Sequence, residues 1–208
     1  MHTQVTQDLS KLDVPSLASL VTAITATVGQ SSTSGTTTVS VTAADTQSSS
    51  SSALGQFVSA IVSASLPLLA TATPSSVANL AAALSQDQAL QPLLATGSPA
   101  AGASLAAWLH AAQDATAGYL GAGPESDVSR LTWGVARLAR AAALLAPSDK
   151  QQAARKNNND AASAEHQNAL LVAARASISP GWRAALAQRV GPQKPGKSTS
   201  LLNLIAAS

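Results

Sequence analysis

One string in this chain has the residue types and spacing of a phosphate-binding loop. Gly191-Pro192-Gln193-Lys194-Pro195-Gly196-Lys197-Ser198 fits the G-x-x-x-x-G-K-[ST] pattern, in which backbone N–H groups cradle phosphates and the lysine reaches them. The surroundings argue against nucleotide hydrolysis. The residues before Gly191 read as helix, where a P-loop needs a buried strand. Pro192 and Pro195 lack the N–H donors the cradle would use. Ten residues follow Ser198, and no acidic strand upstream could assist Mg²⁺. Lys194 and Lys197 therefore read as charges that neutralise phosphate on a longer polymer, or as solubilising charges on a tail.

Other catalytic chemistry has little to rest on. The histidines His2, His110 and His166 are scattered, with no spacing that makes a metal pair or a nucleophile–base arrangement. His110, two residues from Trp108, reads as a helix-surface residue. Asp149, Asp160 and Glu165 fall in caps and loops and form no acid/base pair. With no cysteine in the sequence, disulfides and thiolate metal sites are excluded. The expectation is a non-enzymatic protein without cofactor or metal.

The remaining chemical signal is charge sorted by position. Eleven of the twelve Lys and Arg residues follow residue 128, against three acids, a net of +8 over 128–208. Residues 1–127 hold one base, Lys11, and seven acids, a net of −6. A basic half on a charge-poor half suggests a polyanion partner for one part of the chain. Arginine and lysine neutralise phosphates and release counterions, which gives affinity without sequence preference. The candidate phosphate contacts are Arg130, Arg137 and Arg140 first, then Arg155, Lys156, Arg175, Arg183 and Arg189, then Lys194 and Lys197. The five aromatics, Phe57, Trp108, Tyr119, Trp133 and Trp182, are too few and too dispersed for base-stacking platforms of the single-strand-binding type. Backbone contact, with duplex or single strand, is expected.

Helices must position these residues. Leu131, Val135, Leu138, Ala142 and Leu145 make the apolar stripe of a helix that starts near Asp127 and stops before Pro147. At about 100° per residue, Arg130 and Arg137 fall within about 20° of each other off that stripe, with Arg140 further round. Leu17, Leu20, Val21, Ile24 and Val28 recur at helical spacing after Asp13 and Pro15, a cap and first-turn pair, and Gly29 ends the run. Leu54, Phe57, Val58, Ile61 and Val62 form a stripe broken near Pro67. Thr73-Pro74 opens a helix with Val77, Leu80 and Leu84, and a segment with Leu90, Leu93 and Leu94 ends at Gly97. Leu105, Trp108, Leu109 and Ala112 point inward from a helix over about 100–120. Asp160 caps a helix with Ala164, Leu170, Leu171, Ala174 and Ile178. Ser179-Pro180 starts a last helix with Trp182, Leu186 and Val190.

The fold expected is all-α: an irregular helical bundle with a Ser/Thr-rich N-terminal loop and an extended C-terminal arm. Its organisation is an N-terminal arm and first helix over 1–29, a flexible loop over 30–52, a helical core over 53–190 that is basic from about 128, and a basic arm over 191–208. Within the loop, the alternation over 36–42 predicts a short strand or hairpin arm. The arm ends in an apolar tip, Leu201, Leu202, Leu204 and Ile205, suited to docking on a neighbouring subunit. The N-terminus shows no basic region followed by an apolar run. The uncharged run 53–72 is about one bilayer long, but Gln56, Ser59, Ser63, Ser65 and Pro67 make it a buried or interface helix. Between Asp13 and Asp87 the single charged residue is Asp45, which suggests either faces covered by other copies of the chain or a Ser/Thr-solvated helical domain that manages without charge.

Ala, Ser and Pro together supply 85 of the 208 residues. In this Ala/Ser richness, small size, paucity of aromatics and basic C-terminal portion, the chain resembles the Pro-Ala-Ser-rich proteins of polymycoviruses. That resemblance implies a protein that coats a double-stranded RNA genome in fungal cells. The helical core with terminal arms at 1–13 and 191–208 also resembles coat proteins of flexible filamentous RNA viruses. Both resemblances imply a self-assembling viral coat or nucleocapsid protein in many copies, as in a helical assembly. Such a protein would package an RNA genome, single- or double-stranded, without a membrane, in the virion and the host cytoplasm. The competing expectation is a helical structural or secreted protein of a bacterium or phage that binds a protein partner and no nucleic acid.

Overall fold

The computed structural model describes residues 9, 11–31, 44–146 and 171–190. They form an all-α, irregular helical bundle, with no strand among the described residues. In chain order the helices are α1 (Val14–Ser31), α2 (Ala44–Ser65), a 3₁₀ turn (Leu66–Leu68), α3 (Pro74–Leu84), α4 (Asp87–Ala95), α5 (Pro99–Thr116), α6 (Tyr119–Ala122), α7 (Glu125–Leu145) and α8 (Pro180–Val190). Residues 171–176 are also helical.

Several helices start by the same local device. An oxygen-bearing side chain accepts from a backbone N–H three residues on, and proline occupies the first turn. Asp13 Oδ1 accepts from Ser16 N at 2.9 Å, Thr73 Oγ1 from Ser76 N at 3.3 Å, Ser98 Oγ from Ala101 N at 3.4 Å, and Ser179 Oγ from Trp182 N at 3.3 Å. The prolines are Pro15, Pro74, Pro99 and Pro180. Each cap fills an orphan donor, and each proline sits where its missing N–H is not needed. After α4 the chain turns at Gly97, whose φ of 57° suits glycine.

The core draws one face from each long helix. Leu17 and Val21, Val58 and Ile61, Val77, Leu80 and Leu84, Leu105, Trp108 and Leu109, and Leu131, Val135 and Leu138 are all buried. Packing pairs α3 with α7, α2 with α4, α5 with α7, α1 with α3 and α2 with α5. Where α7 crosses α3 the backbones come close: a Cβ on Gly134 would lie 2.8 Å from the Ala81 carbonyl carbon. Glycine facing alanine permits this crossing, and any side chain at 134 would wedge the helices apart. Trp108 fills the centre, and its indole N–H donates to Ser65 Oγ at 2.9 Å, so its one polar atom is paired inside the core.

The apolar stripes expected for α2, α3, α5 and α7 are the faces that pack. Three local readings are corrected. The helix expected to end at Gly29 runs to Ser31, and residues 44–52, expected as part of a flexible loop, form the first turns of α2. Ser is an intermediate helix former. Once Val58, Ile61 and Val62 anchor α2, extension adds one hydrogen bond per residue fixed. Leu171, expected on an apolar stripe, is 49% exposed; it lies one turn before Ala174, where burial begins. The strand expected over 36–42 lies outside the described residues. Among the described residues no helix is long and apolar enough to cross a membrane.

Candidate nucleic-acid interface

The face of α7 that Leu131, Val135 and Leu138 leave to solvent carries Arg130, Trp133, Arg137 and Arg140. At about 100° per residue these four span an arc of about 80°. Arg130 is exposed and its Nη1 donates to Asn79 Oδ1 of α3 at 3.1 Å. Arg137 Nη2 forms an ion pair with Asp87 Oδ1 at the start of α4. The Arg137 guanidinium also lies over the Trp133 ring, 4.8 Å from its centroid. This is cation–π geometry between residues one helical turn apart. Trp133 is 38% exposed, whereas Trp108 and Trp182 are 0% and 1% exposed. Arg140 is exposed and makes no hydrogen bond or ion pair among the described residues.

The arginines of the arc thus differ in availability. Asp87 neutralises part of the Arg137 charge, and Arg137 is turned toward holding the indole. Arg130 has one hydrogen-bond partner, the neutral Asn79, feels the nearby Asp127 carboxylate, and keeps donors in reserve. Arg140 is spent on no partner among the described residues. The Arg137–Asp87 pair is a surface pair, with side chains 30% and 67% exposed, and pairs of that kind contribute roughly 0–1 kcal/mol.

The second group of arginines sits elsewhere. Residues 171–190 pack along the end of α5 and on α6 through buried Ala174, Ile178, Trp182 and Leu186. Side-chain bonds fix the docking. Buried Gln113 of α5 donates to the Ser177 carbonyl at 2.9 Å and accepts from Ser179 N at 2.6 Å. The Trp182 indole N–H donates to Thr116 Oγ1 at 3.3 Å. Arg189 Nη1 donates to the Leu120 carbonyl at 2.7 Å, a structural use of that guanidinium. Arg175, Arg183 and Arg189 are all half-buried, and Arg183 Nε is buried with no hydrogen-bond partner among the described residues. The two groups have different neighbours: α3 and α4 for the first, α5 and α6 for the second.

Next to the first arc lies a carboxylate that serves the fold. Asp127, in the first turn of α7, accepts from the Ser75 hydroxyl and from the Tyr119 hydroxyl at 2.9 Å. These two hydroxyls, Ser75 first, hold its pKa below the ordinary carboxylate value. The cluster ties α3, α6 and α7 together. Asp13 is lowered in the same direction by Ser16, through its hydroxyl and its backbone N–H.

Of the other sequence-derived candidates, Arg155, Lys156, Lys194, Lys197 and the apolar tip Leu201, Leu202, Leu204 and Ile205 lie outside the described residues. So does the string Gly191 to Ser198; the residues leading to it, α8, are helical. His110 is exposed, and no three His, Cys, Asp or Glu side chains come together as a metal site among the described residues. Sequence reasoning missed Trp133 as a partner of the arginines. Its position between Arg137 and Arg140 on the helical wheel was the available signal. The roles of Asp87 and Asn79 had none, because they lie 50 and 51 residues from their arginines. No family model, curated protein or solved structure matches this chain.

Proposed function

We propose that this chain is a non-enzymatic viral coat or nucleocapsid protein that self-assembles in many copies and packages an RNA genome through phosphate contacts independent of sequence. The observation that carries this reading is the α7 arc. A helix with one face locked into the core presents Arg130, Arg137 and Arg140 on its outer face, within the segment that holds a net charge of +8. Counterion release from the genome would supply the affinity, with a steep dependence on salt. The charge-poor N-terminal helices would form the contacts between copies. The compositional likeness to genome-coating proteins of RNA viruses supports the same reading, under which the protein would reside in the virion and the host cytoplasm.

The test is the double charge reversal Arg137→Glu with Arg140→Glu. Both positions are on the solvent side of α7, so the helical circular-dichroism spectrum should be retained. The ratio of absorbance at 260 nm to that at 280 nm, taken on the purified assembly before and after nuclease and high salt, is the readout. The expected result is a high ratio for the parent that falls on treatment, and a protein-like ratio for the variant. Unchanged nucleic-acid content in the variant would sink the assignment. A protein-like ratio for the parent throughout would move the charge split to a protein partner.

A further inference from the structure

We infer that the outer face of α7 takes single-stranded polynucleotide, with a base stacked on the Trp133–Arg137 pair and neighbouring phosphates on Arg140 and Arg130. This rests on the nucleic-acid reading above and narrows it to one strand state and one stacking residue.

Three observations carry it. First, Trp133 is the exposed member of the three tryptophans. A residue that exposes a large indole at a helix surface forgoes burial that the other two obtain. Second, the Arg137 guanidinium lies over the indole, 4.8 Å from its ring centroid, and is itself tethered by Asp87. Both planes suit a base, since unpaired bases stack on aromatic rings and on arginine planes. Arg137 is in this view a positioning residue, and its charge is already partly spent on Asp87. Third, Arg140, exposed and unpaired among the described residues, lies one turn and three residues along the helix from Trp133, about 10 Å by helical rise, with Arg130 on the other side. A strand crossing this arc meets cation, stacking plane and cation in succession.

The geometry disfavours a duplex at this position. In an RNA duplex the base faces are stacked on one another, and the deep, narrow major groove excludes side chains. An indole on the convex side of a helix has nothing to stack on there. A protein partner is less well matched. The arc offers one apolar group among three arginines, while the exposed Leu171 and Val172 belong to the separate segment docked at α5 and α6. The apolar centre typical of a protein interface is not on this face.

The experiment uses the full chain and fluorescein-labelled oligouridylate, with a labelled RNA duplex of equal length as comparison, by fluorescence anisotropy at low salt. The parent chain's own tryptophan emission is followed in the same titration; with Trp108 and Trp182 buried, its quenching reports on Trp133. The expected outcome has four parts. Oligouridylate quenches the emission. Trp133→Ala weakens oligouridylate binding about tenfold, in the range for loss of one stacked base. Trp133→Phe recovers most of that loss. Duplex binding changes less than twofold in either variant. An unchanged affinity of Trp133→Ala for oligouridylate, with Arg140→Glu still weakening it, overturns the stacking site and leaves the packaging reading standing. An equal loss for duplex and single strand overturns the strand preference. Failure of the parent to bind either RNA removes both readings. Trp133 is at the surface, so the thermal melts of both variants should match the parent, and that control separates lost stacking from lost fold.

Discussion

The N-terminal helices and the C-terminal docked segment pair their polar groups in opposite ways. In α1–α5 the hydroxyls mostly bond back to their own helix. Thr22 donates to the Ala18 carbonyl at 2.9 Å, Thr27 to Ala23 at 2.8 Å, Ser65 to Val62 at 3.1 Å, Ser85 to Ala82 at 2.8 Å and Thr116 to Ala112 at 2.6 Å. Such bonds are local and say nothing about which helix lies next door. In the 171–190 segment the bonds are long-range: Gln113 to Ser177 and Ser179, Trp182 to Thr116, Arg189 to Leu120. These specify one docking position, because any shift leaves donors and acceptors unpaired. The first strategy lets a wall of small residues stand with few charges. The second fixes a basic element on a charge-poor body.

The largest break in this comparison should come from Gln113→Leu. It leaves Ser177 O and Ser179 N without their partner in a site where Gln113 is 1% exposed. Leaving two such groups unpaired should cost about 2–4 kcal/mol, read as a lower urea midpoint and as faster proteolysis within 171–190. A loss no larger than that of a surface threonine would mean the segment is held by its apolar face alone.

Asp127→Asn probes an intermediate case, since Asp127 joins three helices with hydroxyl donors. Its folded pKa is lowered, so the stability it contributes is present above the unfolded carboxyl value near 4 and is lost as the pH falls through the folded value. The variant should therefore be less stable than the parent at pH 7, and the two should converge in acid. Asp13 titrates in the same direction in both proteins, so the difference between their pH-stability curves isolates Asp127. A gap that persists unchanged at pH 2 would show that the carboxylate charge is not what Ser75 and Tyr119 recognise.

The smallest effect is expected for Thr22→Ala. The hydroxyl bonds its own helix, the position is exposed, and alanine is the better helix former. Stability should move by less than about 0.5 kcal/mol in either direction. A larger loss would mean that the hydroxyl ladder of α1 does more than pair itself.

How much of this was legible in the sequence follows the same division. The caps at Asp13, Thr73 and Ser179 and the stripes of α3, α5 and α7 are short-range patterns of residue type, and they read directly. The boundary of α2 did not, because serines carry no signal strong enough to oppose a helix anchored further along. Burial of Trp108 against Ser65 and the pairing of Arg137 with Asp87 depend on how helices 43 and 50 residues apart cross. No periodicity encodes that. For the arc on α7, the spacing of the arginines was visible but the exposure of Trp133 was not, since a tryptophan two residues from Leu131 could equally face the core.

The distant clamp on residues 171–190 also imposes an order in time. Arg189 follows its acceptor Leu120 by 69 residues, so at about 5–20 residues per second a ribosome takes several seconds to deliver it. Through that interval α1–α7 can close around Trp108, while Gln113, Thr116 and the Leu120 carbonyl still face water. A freshly made chain thus exists first as a charge-poor body with an unfilled seat, and acquires Arg175, Arg183 and Arg189 later. Synthesis itself separates the moment the body folds from the moment the docked basic segment is in place.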